Sequence, residues 1–154
     1  MVGNKREEEA IVSAGAGVVV LVGRVLFALY FGAIAGMGHI RQSQNFEGYA
    51  RSVGFPLVAV AGWPAGVWLV LGALSVALGV WPDVGALMIG LFVVVAAFFF
   101  HAYWTLEDAT QKMSQGFLFW RNIIALGASV ALFGLFATLG PELRFTVTAP
   151  LFQF

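Results

Sequence analysis

The chain has 154 residues, of which 60% are hydrophobic and 10% are charged, so it lacks the polar surface that a soluble domain of this size shows to water. Eight basic side chains balance eight acidic ones and neither sign forms a block, which excludes a nucleic-acid binder. The chain has no cysteine, which excludes disulfides, thiolate metal sites and thiol redox chemistry of its own.

The first apolar segment runs from about residue 10 to residue 38. Crossing a bilayer takes roughly 20 apolar residues, so this segment predicts a transmembrane helix. It is too long for the core of a signal peptide, and no small-residue cleavage site is obvious, so we expect the helix to be retained. Arg24 alone interrupts the apolar run, and a polar connection follows it from His39 onward.

Three further apolar segments follow, at about residues 56–80, 84–104 and 117–139. A tight turn at Trp81–Asp83 separates the first two, and Gly140-Pro141 stops the last. The pattern predicts an all-α membrane protein: a four-transmembrane-helix bundle with both termini on the same side, in a single domain over residues 1–154. The two polar connections, about Ile40–Gly54 and Thr105–Gly116, then share the opposite face.

The basic residues do not predict which way the bundle faces. Those on the terminal side are Lys5, Arg6 and Arg144. Those on the side of the connections are Arg41, Arg51 and Lys112, with Arg121 beside them. Because positive charge flanks both ends of the spans, the positive-inside rule favours neither orientation.

Arg24 is the only charged residue well inside a predicted span, since Arg121 lies near the start of the fourth. Placing a charged side chain at the centre of a membrane helix costs roughly 3 kcal/mol, so an intramembrane arginine is a candidate functional residue. Two interpretations stay open. Near the interface, Arg24 extends its side chain to the lipid head groups. Deeper in the bilayer, it meets backbone carbonyls, an anionic ligand or a carboxylate of another chain, which makes it a candidate contact with a partner subunit.

Both histidines lie near helix ends on the face of the connections. His39 ends the first helix, and His101 lies about one turn inside the end of the third. Such imidazoles can bind a haem or a metal, or hydrogen-bond a quinone carbonyl and pass a proton. Histidines at helix ends are more often interfacial hydrogen-bonding groups, and no His-x-x-x-His or Glu-x-x-His spacing occurs. We therefore expect neither metal nor haem.

Aromatic residues surround His101 in the sequence. Trp104 follows it on the same helix face, and Phe117, Trp120 and Ile124 share a face of the fourth helix. A belt of aromatic side chains that anchors the protein at the membrane boundary explains them most simply. The other interpretation is an aromatic cleft between the two helices, which suits the head group of a quinone.

Arg121 and Asn122 open the predicted fourth helix, where the helix N-terminus adds positive partial charge that suits an anion or a carbonyl oxygen. Contact with lipid head groups is the simpler explanation of Arg121. In the connection before it, Glu107 and Asp108 suit structural pairing with Arg121 or Lys112 better than a role as general base. The sequence shows no pair of nucleophile and base, so we assign no catalytic residue.

The block Phe100-His101-Ala102-Tyr103-Trp104, followed by Arg121-Asn122, resembles a signature of the DoxX family. The family has a phenylalanine-histidine-x-aromatic-tryptophan block and then a basic-asparagine pair that opens the last helix. The first helix, in which Arg24 leads to Gly36-Met37-Gly38-His39-Ile40, is similar to the family's arginine-led helix. Many members carry a glutamate early in helix two, where this chain has Val67–Gly72, so no role of that carboxylate transfers.

The resemblance implies a multi-pass protein of the bacterial or archaeal inner membrane, with relatives similar to the small membrane subunit of a thiosulfate:quinone oxidoreductase. It favours an accessory subunit of a redox complex that contacts lipid and other protein subunits. Such a subunit does not catalyse a reaction by itself. The candidate quinone-binding residues are His39, His101, Trp104, Arg121 and Asn122. The alternative is a structural or assembly subunit with no ligand. A small-solute transporter is least favoured, because helices two and three offer scarcely any polar residue near the midplane.

Overall fold

The computed structural model describes residues 2–140, 143 and 145–154, with side chains from Gly15 onward. The described residues form helices and no strand. The α-helices are α1 Val2–Ala28, α2 Met37–Arg41, α3 Ser43–Ser52, α4 Trp63–Leu78, α5 Pro82–Val95 and α6 Ala109–Leu139. The π-helices are Leu29–Gly36 and Ala96–Phe100, and the 3-10 helices are Val58–Val60 and Tyr103–Thr105. Pro141, Arg144 and the side chains of Lys5 and Arg6 lie outside the described part.

Three continuous helical stretches are long and apolar enough to cross a membrane. They are Gly15–Arg41 with 27 residues, Pro82–Thr105 with 24 and Ala109–Leu139 with 31. The helix α4 is equally apolar but has 16 residues, or about 24 Å at 1.5 Å per residue. The prediction of an all-α membrane protein is confirmed, with three long apolar helices and one shorter helix.

The second apolar helix begins at Trp63, several residues later than the apolar run predicts. Its first turn is stabilised from another helix, because the hydroxyl of Ser43 in α3 accepts a hydrogen bond from the Trp63 N–H at 2.8 Å. The same hydroxyl donates to the Glu47 carboxylate at 2.9 Å. A Cβ at Gly62 would lie 2.1 Å from the Ser43 oxygen, so only glycine leaves room for this cap.

Ser43→Ala is expected to lower the free energy of unfolding by about 1 kcal/mol, the usual worth of a serine that caps a helix start. The reason is the lost acceptor for the Trp63 N–H. Unfolding in mixed detergent, followed by helical circular dichroism, measures the change. The matched control is Ser52→Ala, whose hydroxyl bonds only the Tyr49 carbonyl of its own helix. Equal destabilisation by the two variants would contradict the cap.

Glycines let the helices pack backbone against backbone. A Cβ at Gly66 would lie 2.6 Å from the Gly36 carbonyl oxygen, and a Cβ at Gly85 would lie 2.6 Å from the Gly72 carbonyl oxygen. Such contacts suit helices in lipid, where close packing drives association. The fully buried apolar side chains between the helices are Leu69, Val76, Ala86, Ile89, Val93 and Ala97.

The two ends of the bundle are closed by different segments. At one end, which we name the connection end, the Tyr49 hydroxyl in α3 donates to the Phe100 carbonyl at 2.7 Å. The Phe55 ring packs on Phe99 and Phe100, with centroids 5.2 and 5.1 Å apart. Burial raises the pKa of the Tyr49 hydroxyl, so this donor keeps its proton. The first connection therefore lies against the end of the third span.

The other end is closed by residues 145–154, which we name the C-terminal strap. The N–H groups of Val147 and Thr148 donate to the carbonyl of Gly79, the C-cap of α4, at 2.9 and 3.0 Å. The Asp83 carboxylate in the first turn of α5 accepts from two strap N–H groups. The last strap N–H, of Phe154, donates to the Ala137 carbonyl of α6 at 3.2 Å. The strap thus ties three helices together.

Candidate functional site

His39 is held by the segment that leads into α4. Its Nδ1 lies 2.8 Å from the Ala61 carbonyl oxygen, and because a carbonyl accepts, Nδ1 carries the proton and Nε2 keeps a free lone pair. The ring stacks on Phe46 with centroids 3.7 Å apart and meets the edge of Phe92 at 5.4 Å. The imidazole is therefore fixed in orientation and partly buried among aromatic rings.

His101 ends the π-helix at the close of the third span. Its Nδ1 lies 2.8 Å from the side-chain oxygen of Gln115 in α6. With the amide oxygen as acceptor, Nδ1 donates and Nε2 again remains free. The sequence does not predict this partner, because Gln115 lies in a polar stretch that reads as a loop. The bond ties the third span to α6 and orients the imidazole.

Trp104 belongs to an aromatic cluster at the connection end. Its ring meets Phe119 at 5.4 Å, Tyr103 at 5.3 Å and Phe98 at 6.2 Å. The Phe119 ring is buried at the centre of the cluster, whereas Trp104 is 49% exposed. Trp120 also packs on Phe119, at 5.5 Å. The cluster therefore holds a half-exposed tryptophan three residues after His101.

Arg121 and Asn122 do not open the fourth helix, and the predicted effect of a helix N-terminus on them is wrong. The helix α6 begins at Ala109, and its cap is Asp108, whose carboxylate accepts from the Gln111 N–H at 2.8 Å. Arg121 lies about three turns further along and is exposed. The buried Asn122 amide donates to the Leu118 carbonyl at 2.9 Å, within its own helix.

The predicted site residues divide into two groups. His39 contacts the first connection and α5, whereas His101 and Trp104 contact α6. Among the described residues, no hydrogen bond or ring contact joins the two histidines. The connection end therefore carries two imidazoles that different parts of the chain hold in place. In the part of the chain with described side chains, no group of three or more histidine and carboxylate residues is placed to hold a metal.

Arg24 lies inside the chain and at the opposite end from the histidines. It is 1% exposed, and its Nη2 donates to the carbonyl of Phe145 in the C-terminal strap. Its Nε and Nη1 have no partner among the described residues. His39 lies about 20 Å further along the same helical stretch. Arg24 therefore meets a backbone carbonyl of its own chain instead of lipid head groups.

A comparison with protein families finds a match over the part of the chain that contains Arg24 and the two histidines. The family model described as DoxX matches residues 19–102, which is more than half of the chain. The match includes Arg24, His39 and His101 and ends before Gln115 and Arg121. No curated protein and no solved structure matches the chain.

Proposed function

Since this chain belongs to the DoxX family, we propose that it is an accessory membrane subunit of a redox complex and contacts a quinone at the connection end. The family is a membrane family with frequent links to oxidoreductases, and the chain is a multi-pass membrane protein. We place it in the inner membrane of a bacterium or archaeon, beside other protein subunits that carry the catalytic centres.

One observation carries the quinone contact: His101 is oriented by Gln115 so that its Nε2 is free, and the half-exposed Trp104 follows three residues later. A neutral imidazole nitrogen accepts a proton from a quinol hydroxyl, and the protonated ring donates to a quinone carbonyl. The flat Trp104 face suits stacking on a quinone ring. Arg121, exposed on α6, supplies positive charge that stabilises a reduced anion.

His39 contributes a second free imidazole nitrogen at the same end. Its ring is stacked on Phe46, which leaves its edge as the reactive part. Because no contact joins it to His101 among the described residues, it serves a separate step in this proposal. His39 receives or delivers the proton at the first connection, and His101 contacts the head group.

A structural or assembly subunit without a ligand is the second candidate. The observation that favours it is that several candidate groups already have structural partners. The Nδ1 of His39 bonds the Ala61 carbonyl, and the Asn122 amide bonds the Leu118 carbonyl. A scaffold needs these bonds and no free imidazole nitrogen.

His101→Ala is expected to lower the quinone retained by the protein about fivefold, because one hydrogen bond contributes about 1 kcal/mol. The protein is purified from native membranes in mild detergent, its quinone is extracted and assayed, and its partners are identified by mass spectrometry. Gln115→Leu should show part of the same loss, since it frees the imidazole to rotate. Gln111→Ala, on the exposed side of α6, is the control.

The outcomes separate the two candidates. Loss of quinone in His101→Ala with the partner complex intact supports the quinone contact. A stable partner complex that contains no quinone in any variant supports the scaffold and overturns the contact. A protein that is purified with neither partner nor quinone overturns both.

A further inference from the structure

The turn between α4 and α5 has its backbone polar groups bonded within the chain. The Gly79 carbonyl accepts from two N–H groups of the C-terminal strap, at 2.9 and 3.0 Å. The Val80 carbonyl accepts from the Ser75 hydroxyl at 2.7 Å. The Trp81 N–H donates to the Thr148 hydroxyl of the strap at 2.8 Å, and the Trp81 carbonyl accepts from an N–H of α5. The turn therefore needs no bond from water, which is the condition for irregular backbone at membrane depth.

The strap directs its bonding groups inward and its apolar side chains outward. The Thr146 hydroxyl donates to the Leu143 carbonyl at 2.9 Å, and two N–H groups of the strap donate to the Asp83 carboxylate. Within residues 145–154, glutamine is the one polar type among the exposed side chains, which belong to Phe145, Val147, Ala149, Leu151, Phe152, Gln153 and Phe154. An exposed apolar surface of this kind is typical of contact with lipid or with another protein.

The first helical stretch indicates how far the hydrocarbon extends at this end of the bundle. Val25 and Ala77 line the same groove between this stretch and α4, so Val25 lies level with the end of α4. The apolar stretch continues beyond that level to Gly15, which is about 15 Å further at 1.5 Å per residue. In this extension Val19 is 73% exposed and Val22 is 54% exposed. Exposed valines on a membrane helix indicate hydrocarbon around them, and the turn and the strap lie on the inner side of these valines.

We propose that the C-terminal strap and the α4–α5 turn form a re-entrant element inside the bilayer, with the outer face of the strap against lipid acyl chains. The length of α4 fits this position, because its 16 residues rise about 24 Å, whereas the hydrocarbon core is about 30 Å thick. Arg24 and Asp83 are then intramembrane charges that the strap separates from lipid. The strap lies at the opposite end from the histidines, so the proposal does not depend on the quinone contact.

Spin labels at single introduced cysteines test the position of the strap, since the chain has no cysteine of its own. The full chain is purified, labelled and reconstituted in phospholipid vesicles. Electron paramagnetic resonance then measures collisions with molecular oxygen, which dissolves in hydrocarbon, and with a water-soluble nickel chelate. The strap positions are Val147→Cys and Leu151→Cys. The reference positions have similar exposure, at 61% for Met113 near the polar start of α6 and 67% for Ile34 within the first helical stretch.

The ratio of oxygen collisions to nickel collisions at both strap positions is expected to be several times that at Met113→Cys and close to that at Ile34→Cys. A ratio as low as that at Met113→Cys would place the strap in water and overturn the proposal. Weak collisions with both reagents would show that protein covers the strap, which would overturn the contact with lipid equally.

Leu151→Asp tests the same position through the attachment of the strap. A carboxylate is costly in hydrocarbon, so faster hydrogen exchange is expected for the amides of residues 147–154 than in the unaltered chain. Met113→Asp changes a side chain of matched exposure at the other end and should leave this exchange unchanged. Native protection of the strap in Leu151→Asp would contradict its contact with acyl chains.

Discussion

Gly66→Ala is expected to separate α4 from the first helical stretch and to prevent the bundle from reaching its native packing. The added Cβ would lie 2.6 Å from the Gly36 carbonyl oxygen and 2.9 Å from the Ile40 amide nitrogen. Close carbon to oxygen contacts between helix backbones lie at about 3.3–3.6 Å. Since both obstacles are backbone atoms, no side-chain rotation relieves the overlap and the two helices must move apart.

The expected loss in free energy of unfolding is about 3 kcal/mol or more, at the upper end of what an extra methyl group in a packed core costs. Unfolding of the purified protein by a denaturing detergent measures it, with helical circular dichroism as the signal. The matched control is Gly38→Ala, two residues beyond Gly36, where a Cβ has nothing within 4 Å. If the two variants unfold at the same detergent fraction, the backbone contact does not hold these helices.

The length of the apolar segments predicts the fold class and the number of apolar helices, because spanning hydrocarbon restricts the length of a helix strongly. It does not predict where each helix starts. Polar residues can continue a helix outside the membrane. For this reason α1 begins at Val2 and α6 begins at Ala109, both within polar stretches of the sequence. In contrast, α4 begins late because its cap, Ser43, comes from another helix.

The candidate site is predicted in part. The sequence places His101 and Trp104 near one helix end, and the structure adds Gln115 as the partner that orients the imidazole. This partner is hard to predict because a single glutamine in a polar stretch carries no periodic signal. The sequence places Arg121 at the start of a helix because the apolar run begins close to it, whereas α6 begins at Ala109, after the Asp108 cap.

The C-terminal strap is the largest feature that the sequence does not predict. Most of its hydrogen bonds to the helices use backbone groups of the strap, and their partners are Gly79, Asp83 and Ala137. Backbone groups are the same in every residue, so no sequence pattern marks such pairing. The burial of Arg24 within the chain follows from the same segment, since the carbonyl of Phe145 in the strap accepts from the guanidinium.

Asp83→Ala is expected to release the C-terminal strap from the bundle. The Asp83 carboxylate is fully buried, and its Oδ2 accepts from the N–H groups of Leu151 and Phe152, both at 2.8 Å. Removing the carboxylate leaves two N–H groups without their acceptor. Each lowers the free energy of unfolding by about 1–3 kcal/mol where water cannot replace the carboxylate oxygen. It also removes a negative charge from the first turn of α5, which contributes about 0.3–1 kcal/mol.

Hydrogen exchange read by mass spectrometry measures the release, with faster exchange expected for the amides of residues 147–154 and unchanged exchange in α5 and α6. Asp83→Asn keeps one oxygen acceptor and should protect the strap partially. Asp108→Ala is the control, because that carboxylate caps α6 in the second connection and bonds no residue of the strap. Full protection in Asp83→Ala would show that Gly79 and Arg24 hold the strap without the carboxylate. Loss of protection throughout the bundle would instead make Asp83 a group on which the whole fold depends.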